Sequence, residues 1–264
     1  MTEEKPQKRN KRKIIIFGAL ILLGLILFLA WFFIIRDTSP ASVTSSEAIE
    51  ARNETLSSCS AEGTEDVNGT WLVATDCGTF DESCLTEVCA TSFAGFRIKE
   101  ELVGVGGKTV VGRTPNVTGA LVINEKLINS EPNQPLITVD MASLMTDNAA
   151  RDNALRNQAI ETALFPTATF EIKNPIDFSN ETDLAAGFTR DVTGSLTIHG
   201  VSREETITIS ASFNGNTILI FGELGPIKLS DYDIEKPRSA VVLSVEDNAS
   251  MEFQIFFKKT SYSK

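Results

Sequence analysis

The run Val192-Thr193-Gly194-Ser195-Leu196-Thr197-Ile198-His199-Gly200-Val201 decides how this chain folds. Val192, Gly194, Leu196 and Ile198 fall on one face and the hydroxyl side chains between them on the other. A period of two is that of an antiparallel strand with one dry and one wet face. His199-Gly200 links this run to a second one, in which Ile207, Ile209, Ala211 and Phe213 share a face. Asn214-Gly215, which ends that second run, suits a tight hairpin.

The same period extends outward in both directions. Val117, Gly119, Leu121 and Ile123 form one set, and Met251, Phe253, Ile255 and Phe257 another, opposed by Glu252, Gln254 and Lys258. Thr217 to Leu224 is apolar on both faces, which predicts a strand covered on both sides. Gly104-Val105-Gly106-Gly107-Lys108-Thr109 has neither the spacing nor the following helix of a phosphate-binding loop, and reads as a glycine-rich hairpin. Thr146 to Asn157 breaks the alternation with helical composition and an N-cap candidate in Thr146; Phe165-Pro166 ends any helix there. A long meander with one helical interruption predicts a closed barrel with a helical cap, because closure removes the exposed strand edges.

The amino end reads differently. Ile14 to Ile35 is 22 residues without a charge, 20 of them apolar. As a helix it would be roughly 33 Å long against a bilayer core of about 30 Å, so a transmembrane helix is expected over residues 14–35. Lys8, Arg9, Lys11, Arg12 and Lys13 precede it, which predicts a cytoplasmic segment at residues 1–13 and an extracytoplasmic body. A cleaved signal would have a shorter apolar core and small residues at its end, where this run has Trp31-Phe32-Phe33. Residues 36–68, rich in Ser, Thr, Glu and Ala, read as a flexible stalk. Residues 69–264 then form one domain.

Of the 24 Lys and Arg residues, 7 lie in residues 1–36 with 2 of the 35 acidic ones, leaving 17 against 33 and a net charge of −16 beyond. So acidic a body repels phosphate backbones, and no nucleic-acid partner is expected. One His and four Cys rule out a multi-histidine metal site within the chain. Cys59, Cys77, Cys84 and Cys89 fit no ordinary zinc spacing and, outside the cytoplasm, favour two disulfides, for which three pairings are possible. No Gly-x-Ser-x-Gly elbow occurs, and a catalytic triad would rest on His199 alone, so a hydrolase is not expected.

The segments Phe93-Ala94-Gly95-Phe96-Arg97-Ile98-Lys99-Glu100-Glu101-Leu102 and Val111-Gly112-Arg113-Thr114-Pro115-Asn116-Val117-Thr118-Gly119 carry a family resemblance. So do Arg151-Asp152-Asn153-Ala154-Leu155-Arg156, Phe165-Pro166-Thr167-Ala168-Thr169-Phe170 and the opening run from Val192 to Val201. In this order, from about Trp71 to Phe257, the chain resembles the YceI-like polyisoprenoid-binding proteins. The resemblance implies an all-β, eight-stranded antiparallel lipocalin-like barrel, a short helical cap, and an apolar tunnel holding an isoprenoid-type lipid without covalent chemistry or cofactor. The Cys-bearing stretch after Thr75-Asp76-Cys77-Gly78 and the apolar amino end depart from many relatives.

Candidate lumen residues are Phe93, Phe96, Ile98, Leu121, Ile123, Phe170, Leu196, Ile198, Ile209 and Phe253. Arg97 and Arg113 are the candidates for a lipid head group, since a guanidinium fork matches phosphate oxygens. Lys99, Arg151 and Arg156 could do the same, or could balance carboxylates such as Glu100, Glu101 and Asp152. The competing expectation is a tethered adhesion or scaffold module whose barrel is solid. The two differ in one physical feature, a continuous apolar cavity.

Overall fold

The structure, a computed structural model, describes residues 7–30, 39–59, 66–104, 106–132, 134, 136–239 and 242–260. Twelve strands occupy eight positions around a closed antiparallel barrel. In chain order they are β1 (Gly69–Ala74), β2 (Phe93–Leu102), β3 (Gly106–Thr114), β4 (Val117–Asn124), β5 (Leu127–Ser130) and β6 (Ile137–Asp140). There follow β7 (Thr167–Ile172), β8 (Ile176–Asp177), β9 (Phe188–Ile198), β10 (Val201–Asn214), β11 (Thr217–Lys228) and β12 (Val242–Lys259). The ring runs β12-β11-β10-β9-β7-β6-β4-β1 and back to β12, so no edge is left at closure.

Four positions are shared by two short strands. β1 and β2 both pair with β12, and β3 and β4 follow one another across only Pro115 and Asn116. Ala74 lies opposite Phe256 and Phe93 opposite Gln254, which is nineteen steps along the chain but two along β12. Seventeen extra residues therefore loop out of a single wall strand without disturbing its pairing. Ser92 closes the seam: its hydroxyl donates to the Ala74 carbonyl (2.5 Å) and accepts from the Phe256 amide (3.0 Å).

The β9–β10 hairpin forms as its alternation predicts. His199 (φ 51°) and Gly200 (φ 74°) make the two-residue turn that matches strand twist. Outside, Thr193 pairs with Thr206 and Thr197 with Ser202 through their hydroxyls. Gly215-Asn216, one step later than the expected Asn214-Gly215, turns β10 into β11, and β2 and β3 pair as a further hairpin. A helix, α3 (Ala149–Ala154), continues as one wider turn to Ala159 and covers one end. Its N-cap is Asn148, not Thr146: Asn148 Oδ1 accepts from the amides of Ala150 (2.9 Å) and Arg151 (3.1 Å). Thr146 is spent on Asp152, to which its amide and hydroxyl both donate.

The stalk expectation is corrected. Ser46–Cys59 is a helix, α2, held to the barrel wall by the Cys59–Cys77 disulfide. (The amino-terminal helix described below is α1, Gln7–Ala30.) Leu56 packs against Ala74, Cys77, Leu219 and Phe256, and the Arg52 guanidinium lies 3.4 Å over the Phe221 ring. Burial pushes the Arg52 pKa down to about 10. This is why Thr217 to Leu224 is apolar on both faces: Ile218 and Ile220 face the interior, Leu219 and Phe221 face α2.

The expected wet face of β12 is corrected too. Glu252 and Gln254 are 1% and 0% exposed because the loop carrying the second disulfide, Cys84–Cys89, lies over them. Gln254 donates to the carbonyls of Cys89 (2.9 Å) and Thr91 (2.8 Å).

The transmembrane helix expected over residues 14–35 is not reproduced among the described residues. α1 ends at Ala30, residues 31–38 lie outside the description, and no described helix is long and apolar enough to cross a membrane. The described side chains from Ile14 to Leu29 span about 24 Å, short of a bilayer core of about 30 Å.

Candidate functional site

The barrel has a filled end and an open one. The filled end is a floor of interlocked rings. Phe213 lies edge-on to Trp71 (centroids 6.5 Å) and beside Phe178 (5.4 Å) and Phe188 (6.2 Å). Leu121, Ile123, Ile128 and Ile218 close the gaps at 0–1% exposure, and the Trp71 indole donates to the Val67 carbonyl (2.9 Å).

Above this floor the inward side chains enclose a lumen with a cavity volume of about 200 Å³. It reaches from Phe257 up to Val245 along β12, roughly 35–40 Å of strand. The lining is almost entirely aliphatic and aromatic. Its middle is open because of where its rings lie. A Cβ on Gly112 would stand 2.3 Å from the Phe96 ring, and one on Gly194 would stand 2.4 Å from the Phe170 ring. Phe253 sits beside Gly222, its partner across the strands, in the same way. Each ring therefore lies flat against a bare stretch of wall instead of crossing the barrel, an arrangement that also covers an unshielded glycine.

Of the ten candidate lumen residues, Phe96, Ile98, Phe170, Leu196, Ile198, Ile209 and Phe253 line the cavity. Leu121 and Ile123 belong to the floor, opposite Trp71 and Gly69. Phe93 points out of the barrel, into a cluster with Val43, Cys84 and Cys89. Period two assigns a face but not a depth, so it cannot separate the floor from the open section. At the opening, Leu155, Ile160, Leu229, Ile234 and Pro237 also contribute, from the cap and the segment between β11 and β12. Sequence reading missed them because these segments have no strand period; the signal was the apolar side of the helical stretch itself.

Neither head-group candidate faces the lumen. Arg113 is 1% exposed, bonded to Glu252 (2.7 Å) and to the Cys84 carbonyl (2.7 Å), with its guanidinium over the Phe93 ring. Arg97 reaches the same Glu252 (3.4 Å) and the Pro40 carbonyl (2.6 Å). These charges fasten the disulfide loop and the amino-terminal segment to the wall. The polar group at the opening is another one. Arg151 lines the cavity and bonds Glu100 (3.3 Å) and Asp147 (2.5 Å), and Lys108 also holds Asp147 (2.5 Å). Burial pushes the Asp147 carboxyl up, but the hydrogen bonds and charges of Lys108 and Arg151 outweigh it and hold the group below its usual value.

His199 sits at the same rim. Its Nδ1–H donates to the Tyr232 carbonyl (3.2 Å), Nε2 meets Glu161 (3.2 Å), and Phe165 lies against the ring. The residue supports the turn. Among the described residues no group of His, Cys, Asp and Glu could hold a metal ion.

Residues 87–257 match the YceI-like domain family. A solved polyisoprenoid binding domain from Saccharophagus degradans, implicated in plant cell wall breakdown, superposes with a TM-score of 0.52 at 17% identity, over 73% of this chain and 99% of that one. BcnA of Burkholderia cenocepacia gives 0.44 at 19% identity, over 62% of this chain and 95% of that one. A YceI protein of Campylobacter jejuni gives 0.43 at 22%, over 57% and 85%. The curated proteins provide no match. At these identities the likeness is one of fold.

Proposed function

The chain belongs to the YceI-like family, and from that premise we propose that it holds one isoprenoid-type lipid, a polyprenyl phosphate or a quinone-like molecule, in its lumen. The observation that carries this reading is the continuous apolar cavity above the floor. Each methylene moved there from water contributes roughly 0.8 kcal/mol, so a few isoprene units supply several kcal/mol before ordering costs. The lining offers a chain shelter and offers little to a polar substrate. A solid scaffold has no use for such a void, whose lining forgoes close packing.

In this reading the carrier is tethered to a membrane and works outside the cytoplasm. Two features support it: the described side chains from Ile14 to Leu29 are all exposed, and both cysteine pairs are joined. The test is organic extraction of the purified full chain followed by mass spectrometry. The expected result is a near-stoichiometric isoprenoid lipid. A chain that carries none, and takes up neither polyprenyl phosphate nor quinone from added micelles, refutes the proposal.

A further inference from the structure

Among the described residues beyond α1, the three most exposed large aliphatic side chains lie at the open end of the barrel; Leu72 (46%) and Ile49 (39%) lie elsewhere. Val103 at the β2–β3 turn is 54% exposed, Leu243 at the start of β12 62%, and Leu164 in the segment before β7 69%. Val103 follows Leu102 and Leu243 follows Val242, the pair that ends the β2–β12 ladder, and Leu164 adjoins Phe165, which packs on His199 and under Gly200 at the β9–β10 turn. Together they stand around the same opening that Val245, Pro237 and Ile160 line from within. Large aliphatic groups grouped at a cavity entrance mark a contact surface.

We propose that this rim docks onto the lipid bilayer, so that the isoprenoid passes between membrane and lumen without crossing water. The inference rests on the lumen reading given above and adds the surface through which the lumen is filled. Two observations favour a bilayer as the occupant. The apolar lining continues outward into an apolar rim, with the Arg151–Glu100 pair as a polar group at one side of the opening. The amino-terminal segment also joins the wall close to this end. Arg97 grips the Pro40 carbonyl, and from Arg97 the strand has six residues, about 20 Å, to Val103, against about 30 Å along β12 from Ser250, its partner, to Lys259 at the floor. Ten residue steps separate Ala30 from Pro40 and can span at most about 35 Å. A bilayer holding α1 would have the rim within reach, as the nearer of the two ends.

The test uses the full chain, one copy per nanodisc of phosphatidylcholine and phosphatidylglycerol. No free cysteine is present among the described residues, so Val103→Cys and Asn180→Cys each take a single polarity-sensitive fluorophore, one at the rim and one at the floor end. A blue-shifted label at position 103, quenched by brominated lipid, with a water-exposed label at 180, supports docking. Equal exposure of both labels overturns it while lipid extraction from the chain still stands or falls separately. Shielding that arises only with two copies per disc assigns the rim to a second copy and overturns it as well. A Val103→Asp/Leu243→Asp variant is expected to take up radiolabelled polyprenol from the disc at least about tenfold more slowly, since both aliphatic contacts with the bilayer are lost. Unchanged uptake counts against docking.

Discussion

The two ends of the barrel share one strand period and one set of inward residue types, yet one is solid and the other hollow. At the floor, four rings from β1, β9, β10 and the segment after β8 meet at the axis and fill it. In the middle, Phe96, Phe170 and Phe253 are equally bulky but lie against glycines of the adjoining strands, leaving the axis empty. Whether a barrel is a core or a container is set by what stands opposite each aromatic residue.

The largest test of that contrast is a pair of truncations. Trp71→Ala is expected to cost about 3–5 kcal/mol in urea unfolding, since a fully packed ring is removed. Phe253→Ala, whose ring already borders a void, should cost clearly less; equal losses would mean the two ends are packed alike. Next, Gly112→Ala forces the Phe96 ring off the wall. It should lose about 1–3 kcal/mol and lower the bound lipid per chain, whereas Gly107→Ala on the same strand, with open space at its Cβ, should stay within about 0.5 kcal/mol. Retained lipid in Gly112→Ala would show that the bore does not depend on this ring. The smallest effect is on pH. Asp147 is held below its usual value of 3.8, so its contribution is present above that value and is lost as the pH falls through the lowered one. Hydrogen exchange in α3 should therefore rise in acid before exchange in β4, because the rings of the floor carry no titrating group. Simultaneous loosening of both would remove the ion pairs as the cap's fastening.

Much of this was legible in the residues. Alternation located β9, β10 and β12; His199-Gly200 marked one turn, and Asn214-Gly215 fell one residue short of the next. The doubly apolar run from Thr217 to Leu224 announced a cover on the outer wall. The identity of that cover, α2, was hidden because its composition is polar apart from a few anchors such as Leu56 and Arg52. Arg97 and Arg113 misled for a related reason: a guanidinium suits a phosphate and a buried carboxylate equally well, and Glu252 supplies the latter. Depth along the axis, which separates Leu121 from Leu196, depends on contacts between distant strands and leaves no local trace.

The loop that leaves the wall between β1 and β2 rejoins it without moving the neighbouring register. Such a site behaves as a natural splice point. Foreign sequence could be grafted there, an epitope or a whole reporter domain, and the vessel behind it would keep its shape.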